Sequence, residues 1–576
     1  GYLRTAAEGS EDGHLAALLA YYEKRYPEAI VRARETYLRS PNAYQAGRIE
    51  AVVLQTQGTE AATAGRFEEA LALYERSGEV LSRLIRQAPS DPGLYAEDCE
   101  RWATWIAATM ALRDVPQERV DQALADCGRA QRVDPEMADA LVSQATIFWR
   151  LGDQKIKRGG DAEADLAASI RLATRAIGLE PRNTSALNQL ASAHRLLAQW
   201  KMGQGIDARG DIAKGIEAAR RAVEINSELA SAHSNLGTAY LVLVQDQQRR
   251  GAGTRQALEK AAGSYTRATE LDPGYLPAAI GLGNTWKSLS EVRIAQGQDP
   301  SASIGKAVAA LEKASRLNPS LPAIPNNLGN AHLTLAEYQM ARGSDPRQAL
   351  TRAAASYQRA IGLKADYSLA RFNLAWTHRS LAESRFERGE DPGPALAAAT
   401  AALEEYFRLN PTDADVFLER AKLRLLAARQ AARQGRSPEP DLHAAYVQLL
   451  HAEDLNPEQP EIFFTQALVQ RQRAEAAKEA DKESALREGL RWIAAAHAIN
   501  PGEARYIALR GLLEARLART AADSARRRDG LRQAVASLEQ AVKINPLLQR
   551  EYGQALSETR AEAQRLTIPI PSSARR

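Results

Sequence analysis

The histidines are the first residues in this chain whose type could support chemistry. Eight are present, yet His443 and His451, eight residues apart, have no carboxylate or cysteine partner at ligand spacing. The run Gly281-Leu282-Gly283-Asn284-Thr285-Trp286-Lys287-Ser288 superficially resembles a phosphate loop. Such a loop needs a strand, a turn and the start of a helix so that free N–H groups meet the anion, and this run falls in mid-helix with no strand before it. No Ser/His/Asp or Cys/His set can be assembled. A kinase strand lysine, an HRD-type catalytic loop and a DFG are also absent from the chain. The reading is therefore no catalytic residue, no cofactor and no metal. Arg249-Arg250 and Arg526-Arg527-Arg528 read as solvated surface, because no basic stripe with interleaved aromatics recurs to grip nucleic acid.

Polar residues at fixed spacing remain. Asn188, Asn284, Asn326 and Asn330 belong to columns that recur along the chain. Asn donates and accepts at once, so a ladder of them suits an extended peptide backbone; equally, Asn is a common solvated helix residue. Arg195, Lys287 and Arg379 are separated by multiples of 46 and could pair with acidic side chains or a terminal carboxylate. With Trp376 they make up the candidate ligand-binding set.

A regular array must hold such columns in register, and its punctuation is visible. Pro135, Pro181, Ser227, Pro273, Pro319, Ala365, Pro411 and Pro457 are each 46 residues apart, followed by Pro501 and Pro546 at 44 and 45. Five residues before these markers stand Ala130, Ala176, Ala222, Ala268, Ala314, Ala360, Ala452, Ala496 and Ala541, with Tyr406 the exception. A second column reads Leu190-Ala191, Leu236-Gly237, Leu282-Gly283, Leu328-Gly329 and Leu374-Ala375, and three residues on come His194, Tyr240, Trp286, His332 and His378. Each unit divides into two helical stretches, for example Leu321 to Gly343 and Arg347 to Leu363. The joint repeats as Gly297-Gln298-Asp299-Pro300, Gly343-Ser344-Asp345-Pro346 and Gly389-Glu390-Asp391-Pro392. Glycine ends one helix in the left-handed conformation, aspartate caps the next, and proline suits its first position. The small columns let helices approach closely. A helix pair cannot bury its apolar face alone, so the units must stack.

These residues resemble the tetratricopeptide repeat, most clearly at Ala64-Gly65-Arg66-Phe67-Glu68-Glu69-Ala70-Leu71 and Tyr74. The usual unit is about 34 residues, so this one is longer by about twelve. Matches run from about Gly13 to Leu566. The resemblance implies an all-α, right-handed superhelical solenoid of about twelve antiparallel helix pairs, with the first helix of each pair lining a concave face that takes ligands. On that basis Asn188 and Ser192, Ser234 and Thr238, Ile280 and Asn284, Asn326 and Asn330, and Phe372 and Trp376 face inward. Gly13-His14-Leu15 through Ala29 is similar to the repeats that follow the catalytic domain in some bacterial serine/threonine kinases, which implies a sensing or recruiting role in a signalling protein.

Composition agrees with helices. In 576 residues there are 33 aromatics (8 Phe, 18 Tyr and 7 Trp), and Ala and Leu, which lose little freedom in a helix, are abundant. The net charge is +4 and no apolar run approaches the ~20 residues of a membrane span. Cys99 and Cys127 are too few for a disulfide framework, and their scarcity fits a reducing, cytoplasmic setting. Gly1 in place of methionine, with no secretory pattern over Gly1 to Asp12, suggests a fragment or a processed chain. The expected organisation is residues 1–134 as early helix pairs, 135–548 as regular repeats, 549–566 as a polar capping helix and 567–576 as a disordered tail. The expected function is a non-catalytic scaffold binding a protein or extended peptide, with self-association possible and no nucleic acid. The alternative is the regulatory arm of a kinase or glycosyltransferase whose catalytic domain lies outside this chain.

Overall fold

The computed structural model describes residues 13–40 and 43–566. The expectations for Gly1 to Asp12 and for 567–576 lie outside the described residues. Three helix pairs open the chain: α1 (Gly13–Tyr22) and α2 (Tyr26–Arg39), α3 (Tyr44–Thr63) and α4 (Phe67–Gln87), α5 (Pro92–Leu112) and α6 (Gln117–Val133). The regular pairs begin with α7 (Ala138–Lys157) and α8 (Glu163–Leu179), α9 (Thr184–Gly203) and α10 (Arg209–Ile225), α11 (Ala230–Arg249) and α12 (Arg255–Leu271), and α13 (Leu276–Ala295) and α14 (Ser301–Leu317). They continue with α15 (Ala323–Arg342) and α16 (Arg347–Leu363), α17 (Ser368–Glu387) and α18 (Gly393–Leu409), and α19 (Ala414–Arg433) and α20 (Glu439–Leu455). The last pairs are α21 (Pro460–Ala476) and α22 (Glu479–Ile499), and α23 (Ala504–Thr520) and α24 (Ser524–Ile544); a 3-10 turn at Pro546–Leu548 leads into α25 (Gln549–Arg565). The described residues are all-α, and the chain forms two compact units. One comprises the chain up to Asp246 with Glu259–Gly281, the other Gln247–Leu258 with the chain from Leu282 onward.

The joint works as its residues require. Gly159, Gly205, Gly251, Gly297, Gly343, Gly389 and Gly435, 46 residues apart, all have φ between 64° and 77°, a region open to glycine because it has no Cβ. Two residues on, the Asp345 Oδ1 accepts the Arg347 N–H at 3.1 Å, and Asp299 and Asp391 do the same for Ser301 (2.8 Å) and Gly393 (3.0 Å). Pro300, Pro346 and Pro392 sit one place earlier than expected, at the N-cap, where their missing N–H is equally harmless.

The alanine column is fully buried. All nine alanines are 0% exposed, and Tyr406 fills the same place at 6%. The glycine column makes room for a side chain of the second helix: a Cβ on Gly329 would lie 2.6 Å from Tyr357 Cε1, one on Gly237 2.9 Å from the Tyr265 ring, and one on Gly283 2.5 Å from Leu311 Cγ. Cores run from one pair to the next; Leu333 and Ala336 of α15 pack with Leu350, Ala353 and Tyr357 of α16 and Ala370 of α17. At the end of the chain Tyr552 and Leu556 of α25 cover Ile507, Ala508 and Leu538.

Cys99 of α5 and Cys127 of α6 are joined in a disulfide, with Cα atoms 4.8 Å apart and both residues fully buried. Two cysteines do not make a framework, but they staple one hairpin, and such bonds persist where thiols are not kept reduced.

Candidate functional site

In the second unit the first helices α15, α17, α19, α21 and α23 contribute side chains to one groove of about 330 Å³. Its lining follows the sequence period: Trp376, Lys422 and Leu468 are one column, Arg379, Leu425 and Arg471 another, and Glu337, Glu383 and Arg429 a third, each at steps of 46. Met340, Trp376, Leu425, Leu426 and Leu468 supply apolar surface, and charged groups ring it.

Most of these charges are paired. Arg379, 7% exposed, donates through Nε to Glu419 at 2.7 Å and through Nη1 to Glu383 at 2.6 Å. Lys422 Nζ donates to Glu419 at 3.1 Å and lies 3.6 Å from Glu461. Arg505 reaches Glu461 at 3.4 Å and Glu503 at 3.1 Å. Burial opposes charge on both members of the Arg379–Glu419 pair, but Glu383 and Glu419 hold the guanidinium above its usual range, and Arg379 and Lys422 hold the Glu419 carboxyl down at about 2. Glu337 lines the groove with an exposed side chain.

The expected ligand residues meet different fates. Trp376 and Arg379 line the groove, with the Arg379 guanidinium 5.9 Å from the indole centroid. Asn326 is 4% exposed, its Oδ1 accepting from Asn373 Nδ2 at 3.0 Å. Asn330 Oδ1 accepts from Tyr357 Oη at 2.7 Å and from the same Asn373 amide at 3.1 Å. Two members of the Asn ladder are thus tied to the packing of α15, α16 and α17. Asn284 is half-buried in α13, and Lys287 Nζ donates to Glu291 at 2.9 Å. In the first unit, Arg195 donates to Gln199 at 2.8 Å and burial pushes its guanidinium down. Asn188 has a buried Oδ1 that accepts no hydrogen bond among the described residues.

The aromatic column packs within the array. His194 Nδ1 lies 2.9 Å from Asp211 Oδ1, Lys201 Nζ donates to Asp211 Oδ2 at 2.6 Å, and Lys306 Nζ sits 4.2 Å over the Trp286 ring. No group of three or more His, Cys, Asp or Glu able to hold a metal occurs among the described residues, and no described helix is long and apolar enough to cross a membrane. A second groove, of about 640 Å³, lies against α4, α5 and α6 in the first unit. Its central charges are spent on one another: Arg101 on Asp98 at 2.7 Å, and Asp126 on the Trp102 N–H at 2.8 Å and on Arg129.

Lys422, Arg429, Glu461, Arg471 and Arg505 are groove residues outside the expected set. The signal that would find them is the period itself, carried past Trp376 and Arg379. It is easily lost because the Leu-Gly marker becomes Arg420-Ala421 and Gln466-Ala467 at the next two steps.

No protein-family profile matches the chain, and no curated protein does. Among solved structures it is similar to TTC0263, a thermophilic TPR protein of Thermus thermophilus, at 21% identity over 40% of this chain and 98% of that one, with a TM-score of 0.28. It is similar to YrrB, described as a TPR protein with an unusual peptide-binding site, at 21% identity over 43% and 96% with a TM-score of 0.26. Yeast Tom70 is 12% identical over 90% of this chain and 96% of that one, with a TM-score of 0.38.

Proposed function

We propose that this chain is a non-catalytic scaffold of the tetratricopeptide kind that binds an extended peptide or protein segment in the groove of its second unit. The observation that carries this is the groove itself: five successive first helices present Trp376, Leu425 and Leu468 beside charged side chains in one concavity. Apolar side chains of a ligand gain from burial there at about 25 cal/mol per Å², and ordered charges around them select among sequences. Asn284 and Lys287 are proposed as further contacts, and Asn188 and Arg195 as ligand contacts of the first unit's own surface. The test is selection of random peptides on the full chain. Trp376→Ala with Leu425→Ala should lose the selected peptides at unchanged helix content; retention of the same peptides would move the site elsewhere.

The likeness of Gly13 to Ala29 to kinase-linked repeats supports a second reading, in which the same groove recruits substrates or activators for a kinase encoded with it in a bacterial signalling protein. The length of the native polypeptide decides between the two. A catalytic domain in the same open reading frame favours the recruiting arm, and its absence leaves an adaptor.

A further inference from the structure

The charges of the groove do not balance, and the surplus is local. Arg379, Lys422 and Arg505 are each matched to carboxylates within 4 Å. Arg429 is not: among the described residues it has no carboxylate within that distance, and its guanidinium lies 4.7 Å from the centroid of the Phe386 ring. Arg471, the next arginine on the neighbouring first helix, makes no hydrogen bond through its buried Nε. Among the described residues its ion pairs are two long ones, both at 3.9 Å, to Glu475 and to Glu551. Both arginines line the groove. Two under-compensated guanidinia facing one concavity present a fork of donors suited to a carboxylate.

The chain itself brings a carboxylate there. Glu551 lies in the first turn of α25, 62% exposed, and that turn is held at the rim of the groove by its neighbour Arg550. Arg550 donates to the Met340 carbonyl of α15 and pairs with Glu387 of α17 at 3.3 Å. Resting on the groove as the peptide site, we propose that Arg429 and Arg471 form a subsite for an Asp or Glu side chain of the bound segment, and that Glu551 partly occupies it until the segment arrives. The partner is then a segment that places an acidic residue beside apolar ones, and binding displaces Glu551 without unfolding α25, whose Tyr552 and Leu556 stay packed.

The test is fluorescence anisotropy of labelled octaglutamate with the full chain, alongside a peptide selected from the random library. Wild type should bind octaglutamate and not octaglutamine. Arg429→Gln with Arg471→Gln should weaken octaglutamate by at least about tenfold, while Glu551→Gln should tighten it severalfold. Glu551 is exposed, so its variant keeps the test valid if the double arginine variant fails to fold. No binding of octaglutamate to wild type or to E551Q overturns the subsite, and unchanged affinity in E551Q overturns the resident role of Glu551. If the selected peptide depends on Trp376 but is indifferent to the arginines, the subsite falls and the groove stands. If it depends on neither, the groove falls too.

Discussion

Arg379 shows how a side chain that looks like a ligand contact can instead be part of the support. Its guanidinium is nearly buried between Glu383 and Glu419, and Glu419 is itself 5% exposed. Arg379→Met should destabilise the chain by about 3–5 kcal/mol, because the buried Glu419 carboxylate loses its main partner. Glu419→Gln in the same chain should recover part of the loss, as read by urea denaturation. Glu97 of α5 makes the opposite case. Arg48 Nε donates to one of its oxygens at 2.5 Å, the other is buried without a partner, and burial pushes the carboxyl up to about 7. The folded state therefore holds a proton that the unfolded chain releases, so this contribution to stability is full below the ordinary 4.5 and is lost as pH rises through about 7. Glu97→Gln should flatten the fall of stability over that window; a parallel pH profile for the two proteins would contradict the account. Neither pair is legible in sequence, since Arg379 and Glu419 are 40 residues apart and Arg48 and Glu97 are 49.

Helices and joints were the most legible level, for a steric reason. Glycine takes without penalty the positive φ that follows the first helices from α7 to α19, and alanine fills all but one of the places in the buried column of the second helices, so the period is written in residue types that have few substitutes. Ala314, 0% exposed, is such a position. Ala314→Leu should cost about 1–3 kcal/mol through overpacking, and an unaltered melting temperature would show that the column is not a close contact. The Cys99–Cys127 staple was not legible, because two cysteines 28 residues apart signal nothing until α5 and α6 are known to pair. The purified chain should gain the mass of two hydrogens on reduction. Cys99→Ser with Cys127→Ser should cost about 3–4 kcal/mol on the chain-entropy account of a closed loop.

Across the molecule, repetition fixes which residues recur on one side but not which repeat is functional. The Asn ladder drew attention to α13 and α15, whereas the groove lies on α15 to α23. Asn326 and Asn330 are held by Asn373 and Tyr357, and the charges that ring the groove continue columns whose apolar marker has faded. Trp376 belongs to both readings, which makes it the hinge between sequence and site. The groove in the second unit is the proposed seat of the ligand. Hydrogen exchange of the full chain, with and without a library-selected peptide, tests it most directly. Binding there should slow exchange in α15, α17, α19 and α21 around Met340, Trp376, Leu425 and Leu468; protection confined to helices of the first unit would put the ligand elsewhere.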